Sequence, residues 1–225
     1  MTKIEILPQH STRDVKEGGE TLVQIRMSHP IIGDESQGAS KEINSCLAQA
    51  AENMVESVRL SMMEEARAAL ALMPETLPYQ IDLRFTTTYN DSGVLSFFSD
   101  LHYHAGGLQG SISRYGTILR LLDSLPLFIT ALFPPDTDIR KRITTFVTKA
   151  QTKAQRLDPQ GSSSLQSAAA HFYSPENIYL SQRGLVVFYQ ARTLGPGASG
   201  IPLFTIPYSE DGPFPPAQLA LPERP

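Results

Sequence analysis

The chain has 225 residues, of which 41% are hydrophobic, and it carries a formal net charge of −4. This length and apolar content suffice for a substantial core, so we expect a folded globular protein. Charged residues make up only 19% of the chain and form no concentrated positive segment of the kind that binds nucleic acid. We therefore expect no nucleic-acid partner.

The beginning of the chain bears on its location. The first twenty residues contain no apolar segment of the length that a secretory signal needs. No stretch approaches the ~20 apolar residues of a membrane span. With Met1 as the native start we expect a cytoplasmic protein, and with a targeting segment removed we expect an extracytoplasmic one.

The N-terminal third predicts strands followed by a helix. Apolar alternation from Thr21 to Met27 is typical of a half-buried strand, and the earlier segment KIEIL predicts a shorter one. A long helix is predicted over Ser40–Met73, ended by the prolines that follow. Its expected buried face consists of Ile43, Leu47, Ala50, Met54 and Val58. Cys46 lies beside that face and is expected in the core, and as the single cysteine it excludes an internal disulfide.

The middle of the chain predicts a meander followed by helices. Runs rich in β-branched and aromatic residues over 79–89, 93–104 and 111–120 are separated by turn-forming residues and indicate antiparallel strands. A short helix is predicted at 125–133, and Asp136 is expected to cap a second long helix. The apolar stripe of that helix consists of Ile139, Ile143, Phe146, Val147, Ala150 and Leu157. The following segment, DPQGSSSLQ, is predicted to be a loop.

The last third returns to strand character at 178–180, 184–191 and 203–208. The last two runs predict a hairpin-like pair with a long connection rich in Gly and Pro. The Pro-rich residues 211–225 have no periodic pattern and predict an extended tail.

Strands and helices occur in separate runs, which indicates an α+β fold. We expect an antiparallel sheet packed against two long helices in a two-lobed single unit. The predicted divisions are an N-terminal lobe of strands and a long helix over 1–78, a domain with the meander, helix and strand pair over 79–210, and the tail over 211–225.

The most suggestive polar pattern is Asp100-Leu101-His102-Tyr103-His104. In a strand, Asp100, His102 and His104 project from the same face. Two imidazoles so placed can share a metal ion, although spacing supplies no further ligand and His171 is only a remote candidate. The other interpretation is a polar sheet face with hydrogen-bonded histidines and no metal.

No catalytic residue and no cofactor is predicted. The chain contains no G-x-S-x-G motif, and its serines have no identifiable base partner. The GGLQG segment at 106–110 does not lead into a predicted helix, so it lacks the geometry that binds phosphate.

Several late segments together resemble the C-terminal signature of the RsiV-like domain family, many of whose members are uncharacterised. These segments are FY at 172–173, IYLS at 178–181, RGLVVFYQ at 183–190 and GIPLFTIPY at 200–208. Upstream, SHPIIG at 28–33 is similar to the companion N-terminal domain, which is also seen in PdaC-type peptidoglycan deacetylases. The AGGLQG segment at 105–110 resembles the GGAHG-type turn of the family.

The chain departs from the family at positions whose side chains could bind a ligand. Leu108-Gln109 stands where the family turn usually has Ala-His. Ala191-Arg192 and Pro196-Gly197 stand where the late connection usually carries Tyr-Glu and Pro-Tyr. The Gly and Pro residues that determine the backbone remain, so we expect the scaffold to be retained more firmly than a ligand site.

The resemblance implies a non-enzymatic binding or sensing module. Family members occur in lysozyme-sensing anti-sigma factors and beside peptidoglycan deacetylase domains of Gram-positive bacteria, which implies a cell-wall-related glycan or a protein as the partner. The expected surface is the sheet face with two loops, and its candidate residues are His102, His104, Gly106, Gly107, Gln109, Arg192, Pro196 and Gly200. Two alternatives stay open: a metal-assisted hydrolase that uses Asp100, His102 and His104, and a scaffold that self-associates through an uncovered strand edge.

Overall fold

The computed structural model describes residues 3–33, 38–106, 110–155, 159–194 and 200–219. The strands in these ranges are β1 (Ile6–Glu17), β2 (Glu20–Ile32), β3 (Tyr79–Asp91), β4 (Val94–His104), β5 (Ser111–Arg120), β6 (Leu125–Pro126), β7 (Ile178–Ser181), β8 (Gly184–Phe188) and β9 (Leu203–Pro207). The α-helices are α1 (Gly38–Leu72), α2 (Ile139–Gln155), α3 (Pro159–His171) and α4 (Pro216–Leu219), and short 3-10 helices span Pro74–Thr76 and Ile129–Leu132. The fold is α+β, as the sequence predicts.

The strands form two sheets. The larger has six strands in the order β1-β2-β3-β4-β5-β6, and the smaller has three in the order β7-β8-β9. The pairs β1–β2, β5–β6, β7–β8 and β8–β9 are antiparallel. The pair β2–β3 is parallel, because the long helix α1 lies between these strands in the chain and returns it to the starting end of the sheet. The expected antiparallel sheet therefore contains a parallel step.

The chain divides into two compact units. Unit 1 comprises the described residues within Met1–Lys3, Thr87–Phe98 and Arg114–Pro225, and unit 2 comprises those within Ile4–Thr86 and Ser99–Ser113. Unit 2 holds α1, which packs against β2. Unit 1 holds the smaller sheet and the packed pair α2 and α3.

The core of unit 2 follows the period of its elements. Buried residues alternate along the strands, and on α1 they recur at helical spacing. They are Val23, Ile25 and Met27 on β2, Ile81 and Leu83 on β3, and Ile43, Leu47, Ala51, Val55, Met62 and Ala66 on α1. Asn44 ties the start of α1 to the end of β2, since its Oδ1 accepts from Ile32 N at 2.8 Å and its Nδ2 donates to Ile32 O at 3.1 Å.

The buried face of α1 differs in part from the predicted one. Ile43 and Leu47 are buried as expected, but the stripe continues through Ala51 and Val55. Of the other predicted members, Ala50 is exposed, and Met54 and Val58 are half-buried. Cys46 is exposed, which contradicts the expected core position. The reason is geometric: a residue one position before Leu47 points about 100° away from the stripe around the helix axis.

Unit 1 has its own hydrophobic core. Fully buried members include Val94, Leu132, Ile143, Val147, Ala169, Leu180 and Leu185. The apolar stripe of α2 lies on this core as predicted, except for Leu157, which lies outside the described residues. The expected strand pair near the C-terminus is confirmed, because Val186 of β8 lies opposite Thr205 of β9 in an antiparallel ladder.

Two local predictions in unit 1 are wrong. Asp138, not Asp136, caps α2, because its Oδ1 accepts from Lys141 N at 3.0 Å. Asp136 instead occupies the preceding turn, with φ at +65°. The segment predicted as a loop around residue 160 forms most of α3, whose Leu165 and Ala169 are buried. Small and polar residues dominate α3, so packing against α2 stabilises a helix that composition alone does not indicate.

Two shorter segments also depart from expectation. The stretch predicted as a helix over 125–133 is the two-residue strand β6 followed by one 3-10 turn. The described part of the expected extended tail packs within unit 1, since Phe214 N donates to Leu132 O at 2.8 Å and Leu219 of α4 is buried. Here apolar burial overrides the Pro-rich composition.

Candidate functional site

The candidate site lies on the face of the unit 2 sheet opposite its buried residues. Along β3, Tyr79, Ile81 and Leu83 are buried, and the residues between them project to the other side. The polar residues on that side form what we name the open face. It consists of Gln24, Arg26 and Ser28 of β2, Gln80, Asp82 and Arg84 of β3, and His102 and His104 of β4.

A cleft of about 420 Å³ lies on the open face. It is lined by Gln80, Asp82, Arg84, His102, Tyr103, His104, Gly110, Ser111 and Ile112, which come from β3, β4 and the beginning of β5. We name it the histidine cleft. The structure thus places two sequence-predicted residues, His102 and His104, in one cleft with residues that the sequence analysis did not single out.

A second cleft, of about 490 Å³, adjoins the first on the open face. It is lined by residues of β1, β2 and β3, among them His10 and Arg26. Asp82 and Arg84 line both clefts. The two clefts therefore offer one continuous polar surface that crosses five adjacent strands.

An ion pair between Asp82 and Arg84 forms the centre of this surface. Arg84 Nε donates to Asp82 Oδ1 at 2.8 Å, and Arg84 Nη2 donates to Asp82 Oδ2 at 2.6 Å. The hydrogen bonds and the negative charge of Asp82 raise the pKa of Arg84 above its ordinary value. Because the Arg84 side chain is 71% exposed, this pair adds little stability and its polar atoms remain accessible to a ligand.

The neighbouring strand adds a second guanidinium. Arg26 of β2 lies opposite Asp82 in the parallel register, and its Nη2 donates to Gln24 Oε1 at 2.8 Å. Amides, guanidinium groups, imidazoles and one carboxylate thus alternate across the surface. This set of donors and acceptors can hydrogen-bond the hydroxyl, amide and carboxylate groups of an extended polar ligand.

The metal alternative rests on Asp100, His102 and His104 of β4. Across the described ranges, no group of three or more His, Cys, Asp or Glu side chains is placed to hold a metal ion. His171 lies on α3 in unit 1, with its ring 4.7 Å from that of Phe172 in an edge-on arrangement.

The remaining candidate residues have mainly backbone roles or lie elsewhere. Gly106 has φ at +72°, and a Cβ there would lie 2.8 Å from Thr76 O, so the position requires glycine. Arg192, with φ at +67°, and Gly200, with φ at +93°, belong to unit 1 and occupy turns. Gly107, Gln109 and Pro196 lie outside the described residues.

Sequence reasoning missed the residues of β3 that line the cleft. The signal was present in Tyr79-Gln80-Ile81-Asp82-Leu83-Arg84, where strict alternation places three polar residues on one face. Histidine pairs indicate a possible site by their chemistry, whereas Gln, Asp and Arg are common on any solvent-exposed strand face and indicate none. Only the sheet order shows that β3 lies between β2 and β4 and brings these side chains together.

The architecture and the site define an α+β protein with a polar, open sheet face. Residues 130–209, which are 80 of the 225, match a family described as a protein of unknown function, DUF3298. None of the curated proteins compared with the chain matches it. The described part of the chain contains no helix with the length and apolarity that crossing a membrane requires.

Solved structures of DUF3298 proteins share the fold. A DUF3298 member from Bacteroides fragilis superposes with a TM-score of 0.66 at 14% identity, covering 91% of this chain and 90% of that one. A DUF3298 protein from Pseudomonas aeruginosa PAO1 superposes with a TM-score of 0.64 at 15% identity, covering 92% and 91%. At these identities the likeness establishes the fold and leaves the site to be argued from this chain.

Proposed function

We propose that this protein is a non-enzymatic binding or sensing module that holds its ligand on the open face. The observation that carries the proposal is the histidine cleft, in which Arg84, His102 and His104 converge from adjacent strands. Arg84 and His102 are exposed, so they can contact a ligand without rearrangement of the core.

The rigidity of the sheet supports binding at this face. On β3 and β4, Arg84 follows the buried Leu83 and His102 follows the buried Leu101. A scaffold that fixes polar side chains before binding lowers the entropic cost of holding a ligand. Sites built on strands are positioned more firmly than sites on loops.

The resemblance to RsiV-like domains, and to the companion domain of PdaC-type deacetylases, favours a ligand related to the bacterial cell wall. A glycan with amide and carboxylate substituents presents groups that the guanidinium, amide and imidazole groups of the open face can hydrogen-bond. A protein partner such as lysozyme is the other ligand that the resemblance implies. Both are available as defined probes.

Isothermal titration calorimetry tests the proposal with two probes, peptidoglycan fragments released by a muramidase and hen lysozyme. We expect one of them to bind the wild-type chain, and Arg84→Gln or His102→Ala/His104→Ala to weaken that binding about tenfold or more, because each removes hydrogen bonds to polar groups. Glu64→Gln, at an exposed position on α1, is the matched control and should bind as the wild type does. Equal affinity of all variants for a probe that binds would place the site elsewhere.

A further inference from the structure

The outer edge of β1 carries a charge pattern that is complementary to itself. β1 is the terminal strand of the six-stranded sheet and pairs with β2 along its whole length. Within the described residues no strand pairs with its other edge, and such an edge presents backbone donors and acceptors to an incoming strand. The last five residues, Arg13-Asp14-Val15-Lys16-Glu17, alternate charge around a central valine and are named the RDVKE segment.

We propose that the RDVKE segment pairs antiparallel with the RDVKE segment of a second copy of this chain, with Val15 opposite the partner's Val15. Two-fold symmetry then sets Asp14 opposite the partner's Lys16 and Arg13 opposite the partner's Glu17, and repeats both pairs. The interface would contain four cross-strand pairs of opposite charge. Each such pair stabilises strand pairing modestly, whereas like charges directly opposite destabilise it.

The pattern selects this register over its neighbours. In an antiparallel pair, opposed residues either both point their backbone groups toward the partner or both point them away, so in a symmetric pair the two-fold axis passes beside one residue and its own copy. Centring the pairing on Arg13, Asp14 or Lys16 sets two like charges opposite each other at the axis. Centring it on Thr12 sets Pro8, which has no N–H to donate, opposite Lys16.

Contacts within each copy are compatible with the pairing. Arg13 Nη2 lies 2.8 Å from Glu52 Oε2, and Arg67 Nε lies 2.8 Å from Glu17 Oε2, so Arg13 and Glu17 share the side that faces α1. Their side chains are 46% and 48% exposed, which leaves room for a second ionic contact from the partner. The two pairs would join into an alternating row of charges across the interface.

The other face of the segment permits a clean test. Asp14 lies opposite Gln24 of β2, and Lys16 lies opposite Thr21, both uncharged. Exchanging the two charges therefore sets no like charge directly opposite either position inside one copy. Changing only one of the two charges would, however, set like charges opposite each other in the proposed dimer.

The proposed dimer is weak and sensitive to salt. Five residues from each chain bury much less than the ~800 Å² per partner of a typical stable interface. The ion pairs that set the register are exposed to solvent, so salt screens them and weakens the dimer. Association through β1 is independent of ligand binding at the open face, and neither proposal requires the other.

Sedimentation velocity over about 10 µM to about 1 mM, the range expected for a small interface, tests the proposal. We expect the wild type to form dimers reversibly, and less so at high salt. Asp14→Lys sets two lysines opposite each other and Lys16→Asp sets two aspartates opposite each other, so each alone should abolish dimers. The double exchange Asp14→Lys/Lys16→Asp restores opposite charges and should restore them.

Two controls make the outcome decisive. Glu64→Lys on α1 changes the net charge as much as Asp14→Lys does and should leave the dimer intact. Circular dichroism of each variant should match the wild type. A wild type that is monomeric throughout, or a double exchange that dimerises no better than the single variants, overturns the proposal.

Discussion

The side chain of Gln190 pairs with the backbone of Arg114 as a neighbouring strand would. Gln190 Nε2 donates to Arg114 O at 2.7 Å, and Arg114 N donates to Gln190 Oε1 at 3.0 Å. Both backbone groups of Arg114 on this edge of β5 are thereby satisfied by one amide. An amide used in this way stabilises unit 1 and occupies a strand edge that would otherwise accept another strand.

We predict that Gln190→Ala lowers the free energy of unfolding by about 1–2 kcal/mol, because it removes two hydrogen bonds to half-buried backbone groups. Urea denaturation followed by circular dichroism measures the loss. Gln166→Ala, at an exposed position of α3, is the matched control and should change stability by less than about 0.5 kcal/mol. Equal stability of the two variants would contradict the role of the Gln190 amide.

A buried serine joins β4, β5 and β7 within unit 1. Ser96 of β4 is 0% exposed, and its hydroxyl donates to Thr117 O at 3.0 Å and accepts from Leu180 N of β7 at 2.9 Å. We expect Ser96→Ala to destabilise the protein by about 2 kcal/mol, because Leu180 N–H loses its acceptor in the core.

Amide hydrogen exchange gives the local readout for Ser96→Ala. The Leu180 amide should exchange faster than in the wild type by more than the global loss of stability explains. Ser164→Ala, exposed on α3, should leave Leu180 protected as before. Unchanged protection of Leu180 in Ser96→Ala would contradict the proposed link.

The position of Gly116 on β5 cannot accommodate a side chain. A Cβ there would lie 1.8 Å from Ile178 O, a backbone atom that cannot move aside without shifting β7. We predict that Gly116→Ala destabilises the protein by about 3 kcal/mol, the upper part of the range for overpacking. Thermal unfolding compared with Ser111→Ala, an exposed site on the same strand, measures it, and a melting temperature equal to that of the control would contradict the close approach.

The burial of the Tyr189 hydroxyl predicts that the protein loses stability at alkaline pH. Its hydroxyl donates to Ala169 O at 3.0 Å, and burial raises the pKa of Tyr189 to about 12. Because the unfolded phenol ionises near pH 10, the folded state binds the proton more tightly between pH 10 and 12, and stability falls there by about 1.4 kcal/mol per pH unit for this group. Burial also raises the pKa of Tyr208 and adds to the same trend.

Tyr189→Phe separates this contribution from the rest. At pH 7 the variant should be about 1 kcal/mol less stable, because it lacks the hydrogen bond to Ala169. Its stability should then fall less steeply than that of the wild type from pH 10 to 12, so the gap narrows. Parallel pH profiles of the two proteins in urea denaturation would contradict the raised pKa.

The sequence predicts elements whose period is strong and misses those that tertiary packing decides. The alternation of β2 and the long α1 follow from residues 21–27 and 40–73. The polar strand β1 extends well beyond the apolar segment KIEIL that predicts it. Backbone pairing with β2 stabilises these polar residues as a strand, although their composition does not indicate one. The helix α3 was missed for the same reason, since small residues pack closely on α2 without an apolar pattern.

The sequence predicts only the part of the candidate site that follows from the period of a single strand. His102 and His104 share a face by strand periodicity alone, which the sequence shows. That Arg84 and Asp82 join them depends on the position of β3 between β2 and β4. The parallel step from β2 to β3 depends on the crossover through α1, and it sets Arg26 opposite Asp82.

The open face as the ligand surface is the central claim, and amide chemical-shift mapping of the full chain tests it most directly. The probes are muramidase-released peptidoglycan fragments and hen lysozyme, added to saturation. We predict that the shifted amides cluster at residues 24–28, 80–84, 102–104 and 110–112, with exposed α1 positions such as Glu64 unmoved. Shifts confined to the β7–β9 sheet, or no shift anywhere with either probe, would contradict the claim.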